Sequence, residues 1–156
     1  MELPAPRLIV PPLRGLYERL EPLSWLLLRV AFGLIMVTHG LPKILGISHG
    51  SMADPMAAST HLIANVLHLP AAPVFAWFVA LLESVGGLLL ALGFLTRPIA
   101  ALMAVQTAAI CYVLAPRFPW IDRGFEYPLL MCFVCICLAL RGGGRASVDW
   151  RLGREF

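Results

Sequence analysis

"VFAWFVALLESVGGLLLALGFL", residues 74–95, carries one formal charge, Glu83, and one other polar side chain, Ser84. Runs of about 17–25 apolar residues cross the hydrocarbon of a bilayer as helices, because a helix satisfies every backbone group internally. This run decides the fold class. A carboxylate in its middle raises the functional question.

Three further runs share the pattern. Residues 23–41, "LSWLLLRVAFGLIMVTHGL", and 98–115, "PIAALMAVQTAAICYVLA", read as spans, and 125–140, "FEYPLLMCFVCICLAL", reads as a shorter fourth. Only "TRP" at 96–98 separates the second run from the third, so the two form a tight hairpin with Pro98 in a first helical turn. The expected fold is all-α: a single four-helix integral membrane bundle over residues 23–141, with an outer loop at 42–73. Composition agrees. The 156 residues are 60% hydrophobic and 13% charged, too little polar material to cover a soluble domain. The net charge of +3 comes from dispersed arginines, which excludes the clustered basic face that nucleic acid requires.

Two flanking pieces have patterns of their own. In residues 1–22, Leu13, Leu16, Tyr17 and Leu20 recur at helical spacing opposite Arg14, Glu18, Arg19 and Glu21, fitting either a short interfacial helix or an irregular tail. In the outer loop, a helix is expected from Pro55 to about Leu69, packed over the mouth of the bundle. Residues 142–156 read as a cytoplasmic tail whose glycines stop the last helix.

Charge sets the expected orientation. With both termini cytoplasmic, Arg7, Arg14, Arg19, Arg97, Arg141, Arg145, Arg151 and Arg154 lie inside, against Lys43, Arg117 and Arg123 outside. Eight against three favours N-in, C-in, in a bacterial inner membrane. Trp25 falls at the inner boundary, and Trp77, Trp120 and Tyr127 at the outer one.

Polar residues inside the spans are the site candidates. Arg29, Gly33, Met36, Gly40 and Lys43 fall on one stripe of the first helix, about 80° wide. Charge facing lipid is costly, so this stripe faces other helices. Arg29 lies about 9 Å from the inner end of its helix, and snorkelling is the plain alternative for it. Lys43 follows Pro42, which disfavours helical geometry at Leu41 and is expected to end the helix there. Glu83, about 18 Å from the inner end, sits too deep to snorkel. The expected partners are Arg29, across a depth gap of about 9 Å, and Gln106 at an intermediate depth of about 12 Å. Arg29, Glu83 and Gln106 thus form a candidate catalytic cluster, a proton or ligand site. The competing reading is a polar staple that only fixes helix register. His39, Lys43 and Glu126 form a candidate outer binding group.

Cys132, Cys135 and Cys137 on the fourth helix and Cys111 on the third sit in apolar surroundings and read as packing residues, despite the C-x-x-C spacing of the first pair. His39, His49, His61 and His68 match no metal-binding spacing, so no metal is expected.

Taken in order, "LLLRVAFGLIMVTHGLPK" at 26–43, "LLESVGGLLLALGFLTRP" at 81–98, "FEYPLL" at 125–130 and "GGGRASVDW" at 142–150 resemble the DoxX-like family of small membrane proteins. The resemblance implies a four-helix membrane fold with Arg29, His39, Gly40, Lys43, Glu83, Gly87, Gly93, Arg97, Glu126, Ser147 and Asp149 at recurring positions. Pro42 departs from the family, where glutamine is common. The resemblance also implies a link to thiosulfate:quinone oxidoreductase subunits and membrane redox complexes, hence a quinone as the cofactor to test. Two readings follow. One is a quinone-linked redox subunit working with a membrane or soluble partner. The other is a non-catalytic assembly or scaffold protein; either is compatible with a homo-oligomer.

Overall fold

The computed structural model describes residues 8–154, which are all-helical with no strand among them. Arg7, counted in the charge asymmetry above, lies outside the described residues. After a single 3-10 turn at Pro11–Leu13, α1 runs without a break over Arg14–Leu45. Then come α2 (Pro55–Asn65), α3 (Ala72–Leu92), α4 (Thr96–Leu114), α5 (Glu126–Arg141) and a last turn, α6 (Val148–Arg151). Three of these helices, taken as Pro11–Leu45, Ala72–Leu92 and Thr96–Leu114, are long and apolar enough to cross a membrane. α5 has 16 residues and packs along α4.

Two expectations about α1 give way. The helix starts at Arg14 and passes through Pro22, so residues 14–22 are its first turns rather than a separate interfacial helix. It also passes through Pro42 instead of ending at Leu41. A proline inside a helix removes one donor and displaces one carbonyl. Here the ring of Pro42 is buried by packing, and Gly46, with φ +65°, closes the helix by returning to the Pro42 carbonyl region. The consequence for function is direct: Lys43 stays on the helical stripe. In the outer loop, α2 starts at Pro55 as expected, capped by Asp54 accepting from Ala57 N, but ends at Asn65 rather than near Leu69.

α1 and α3 meet along a seam of small residues. A β-carbon on Gly33 would lie 2.4 Å from the Gly87 carbonyl oxygen, and one on Gly40 would lie 2.5 Å from Ser84 N. Neither position admits alanine without the helices separating. Such close backbone approach is how helices gain dispersion contacts where lipid removes the hydrophobic driving force. Phe32, Met36, Leu90, Met103, Cys135 and Leu138 fill the core beside the seam. Outward faces, including Leu27, Val74, Val105, Phe133 and Leu140, are apolar and exposed.

Beyond α5, residues 142–154 fold back under the helices instead of trailing as a tail. Ser147 caps α6 by accepting from Trp150 N at 3.1 Å. The Asp149 carboxylate, 1% exposed, accepts from Leu95 N and Thr96 N, both at 2.9 Å. It thereby caps the start of α4, whose first N–H groups have no helical acceptors. At the same end, Trp25 Nε1 donates to the Gly142 carbonyl at 3.0 Å, Arg141 stacks over the Trp25 ring, and Arg141 pairs with Glu21. This is the terminal end of the bundle. The opposite end, where α2 lies, is the loop end.

Candidate functional site

Glu83 sits where α3 changes its winding. Over Leu82–Gly86 the helix widens into a π turn, placing one extra residue in the coil. Ser84 Oγ donates back to the Ala80 carbonyl one turn earlier, at 2.6 Å. Across the seam, the missing side chain of Gly40 makes room for Glu83, whose Cβ lies 2.7 Å from where a Gly40 β-carbon would stand. One turn further along α1, Lys43 Nζ pairs with Glu83 Oε2 at 2.5 Å. From α4, Gln106 Nε2 donates to Glu83 Oε1 at 2.5 Å. Side-chain exposure is 11% for Lys43 and 4% for Glu83. Charge this dry is sustained only by a direct counterion and full hydrogen bonding. The carboxylate has both. Gln106 Oε1, by contrast, is a buried acceptor with no donor.

These three side chains form the polar wall of a cavity of about 580 Å³ at the loop end, otherwise lined mainly by apolar side chains. Met36 and Val79 border it from α1 and α3, Ile110 and Leu114 from α4, and Tyr127 and Met131 from α5. α2 covers it with Leu62 and Ile63. Arg123, another lining residue, ties the loop before α5 to the loop before α2 through a 3.0 Å hydrogen bond from Nη2 to Ser51 Oγ. A largely apolar chamber with a few convergent polar groups is the form that small-molecule sites take. His39 also lines the chamber, and its ring meets that of His49 edge to face, with centroids 5.0 Å apart.

The expected cluster is therefore regrouped. Glu83 and Gln106 meet, but Arg29 is not with them. Its guanidinium, wholly buried, donates to the carbonyls of Leu90 at 2.8 Å, Ala91 at 2.6 Å and Ala146 at 2.8 Å. It thus closes the C-terminal end of α3, where carbonyls lack helical donors, and ties it to the chain after α5. Snorkelling is excluded too, since the side chain points into protein. The physical reason for the change of partner is the continuation of α1 through Pro42, which brings Lys43 level with Glu83. The outer group divides likewise. His39 and Lys43 line the cavity, whereas Glu126 turns to its own loop and accepts from Trp120 N at 3.1 Å.

The sequence reading missed Asp149 as a structural anchor, His49 as the partner of His39, and the π turn. "SVDW" carried a signal for the first, since Ser147 three residues before Trp150 is a helix cap. Among the described residues, no group of three or more His, Cys, Asp or Glu side chains is placed to hold a metal ion.

With this arrangement in view, comparison with known proteins defines the class first. The DoxX family model matches residues 24–116, and the chain belongs to that family of membrane proteins. It is similar to the protein named "Putative oxidoreductase CatD" of Bacillus subtilis (strain 168), with 28% identity over 124 residues, covering 80% of this chain and 83% of the relative. No solved structure matches it.

Proposed function

We propose that this protein is a membrane-integral, quinone-linked redox subunit whose ligand site is the loop-end cavity. The observation that carries the reading is the Lys43–Glu83–Gln106 cluster set into a chamber otherwise lined mainly by apolar side chains. The residues fit a quinone-class ligand: a mainly apolar volume takes the ring, Lys43 has N–H donors beyond the one used on Glu83 for a quinone carbonyl, and Gln106 Oε1 is a buried acceptor for the hydroxyl of the reduced, quinol form. A bound quinone supplies reversible electron transfer coupled to proton uptake and release. The chain supplies the rest. Lys43 and Gln106 orient the polar end, Glu83 holds or yields a proton at Oε1 or Oε2, and α2 covers part of the chamber with Leu62 and Ile63. The oxidoreductase name of the Bacillus relative supports a redox context.

In this reading α5 is the fourth crossing, at about 24 Å for 16 residues, with Tyr127 and Trp120 at its loop-end boundary. The terminal end faces the cytoplasm, because Arg14, Arg19, Arg97, Arg141, Arg145 and Arg151 gather there. The membrane is then the bacterial inner membrane, and electrons come from a membrane or soluble partner. Mass spectrometry of protein purified in mild detergent tests the function. A quinone that copurifies with the native chain and is lost from Lys43→Met supports the site. A partner subunit recovered with no quinone, and no saturable binding of a short-chain quinone, overturns it in favour of a scaffold. Reporter fusions at Gly50 and at Gly153 test the topology; a cytoplasmic signal from Gly50 refutes it.

A further inference from the structure

We infer that His39 and His49 form a proton relay joining Glu83 to water at the loop end. The inference rests on the proposed proton-handling role of Glu83 and adds the path that role requires. Glu83 is 4% exposed and both its carboxylate oxygens are engaged, by Lys43 and Gln106, so little of it meets water directly. His39 lines the same cavity, is half-buried, and is the chain neighbour of Gly40, whose backbone lies against Glu83. The charged or titratable groups acting on it are Glu83 from α3, Lys43 from its own helix and His49 from the following loop. His49 touches it ring to edge at a 5.0 Å centroid separation and is itself partly exposed.

The loop holds that contact in place. His49 N donates to the Met52 carbonyl at 2.9 Å, and Met52 N donates to the His49 carbonyl at 3.0 Å, closing a tight turn. Imidazole is the side chain that accepts and returns a proton near neutral pH. In the transfer, the proton on Glu83 passes by way of water in the cavity to the neutral ring of His39, then through water to His49 and the loop-end surface. Only O–H and N–H bonds form and break, and no electron moves. Lys43 does not replace the histidines, because its Nζ is already engaged with Glu83 Oε2. The terminal end offers no equivalent route, since Arg29 there is bonded to backbone carbonyls.

The test follows the Glu83 carboxyl band by time-resolved infrared spectroscopy after a pH jump, using the full chain in lipid nanodiscs. The band is assigned by its loss in Glu83→Gln. His39→Ala and His49→Ala are each expected to slow its protonation by about tenfold or more, with added imidazole restoring the rate. A merely structural role for either histidine would not respond to imidazole. His49 lies in the loop, so its variant carries the test if the change in α1 disturbs folding. Wild-type rates in a folded His49→Ala protein overturn the relay while leaving a titrating Glu83 in place. A Glu83 that does not titrate in the wild type between about pH 4 and pH 9 overturns the proton-handling role, and the relay with it.

Discussion

Arg29 and Lys43 lie on one stripe of α1, fourteen residues and about 21 Å apart, and the protein uses the two cations in opposite ways. At the terminal end, Arg29 meets backbone carbonyls, and Asp149 meets backbone N–H groups. Every one of those partners belongs to a helix end or a turn. A cavity of about 650 Å³ lies at this end, but Glu18, Glu21, Arg141 and Arg145 are among its lining residues and neither Arg29 nor Asp149 borders it; substitution of either would leave helix ends open. At the loop end, Lys43, Glu83 and Gln106 bond to one another through side chains and face a cavity. Their backbone needs are already met within their own helices. Polar groups that satisfy the backbone serve the fold. Groups that satisfy only each other, beside an open volume, are free to change partners when a ligand arrives.

The sharpest way to break this comparison is to remove Arg29. Arg29→Met would strand the carbonyls of Leu90, Ala91 and Ala146 and take away the charge that acts on Asp149. A loss of about 3–5 kcal/mol is expected, seen as a large fall in thermal unfolding temperature in detergent, or as absence of folded protein. A stable Arg29→Met protein that had lost only ligand binding would move Arg29 into the functional group and end the distinction.

Next in size are the loop-end pairs. Lys43→Met leaves Glu83 with its charge buried and only Gln106 beside it, a loss of about 3 kcal/mol. Adding Glu83→Leu should restore most of that stability, because an apolar replacement of a whole buried pair is often neutral, yet quinone binding should stay lost. A double-mutant cycle between Lys43 and Glu83 should show coupling of about 1–3 kcal/mol, whereas one between Arg29→Lys and Glu83→Gln should be additive within about 0.5 kcal/mol. Unfolding measured for all four members of each cycle decides between the two pairings.

That cycle also marks the limit of what the sequence could reveal. Glu83 as a buried carboxylate, Gln106 as its donor and the glycines of the α1 stripe were legible, because depth and helical period follow from residue counting alone. The identity of the cation was not. Counting favoured Arg29 across a gap of about 9 Å, and Pro42 argued that α1 stopped before Lys43. Local propensity lost to tertiary packing, which carried the helix four residues past Leu41 to Leu45. The π turn has no local signature in "LLESVGG", and Asp149 acts on Thr96 from 53 residues away, a contact that no periodicity encodes.

A smaller effect separates capping from catalysis at the terminal end. Asp149→Asn keeps one acceptor oxygen for Leu95 N or Thr96 N and loses the other, along with the charge that faces the start of α4. It should cost about 1–2 kcal/mol by thermal unfolding and leave quinone affinity at the loop end unchanged. A weakened affinity in a protein of normal stability would show that the two ends are coupled.

The smallest effects belong to the cysteines, which test whether α5 contributes chemistry or only packing. Cys135 is fully buried in the core, Cys132 Sγ is 3.5 Å from the Ala104 carbonyl, and Cys137 is exposed on the outer face of the helix. All are free thiols, and none borders the cavity. Cys135→Ala removes one sulfur from a packed site and should cost about 1 kcal/mol. Cys132→Ser keeps a small donor that can bond back to its own helix, so it should cost less. Cys137→Ser should be silent, since its surroundings are lipid or solvent rather than protein. The triple variant should therefore bind a short-chain quinone with native affinity and unfold only slightly earlier. A triple variant that stays folded but loses redox coupling to a partner would place the C-x-x-C pair in the electron path, and α5 would then join the loop-end site as a working element.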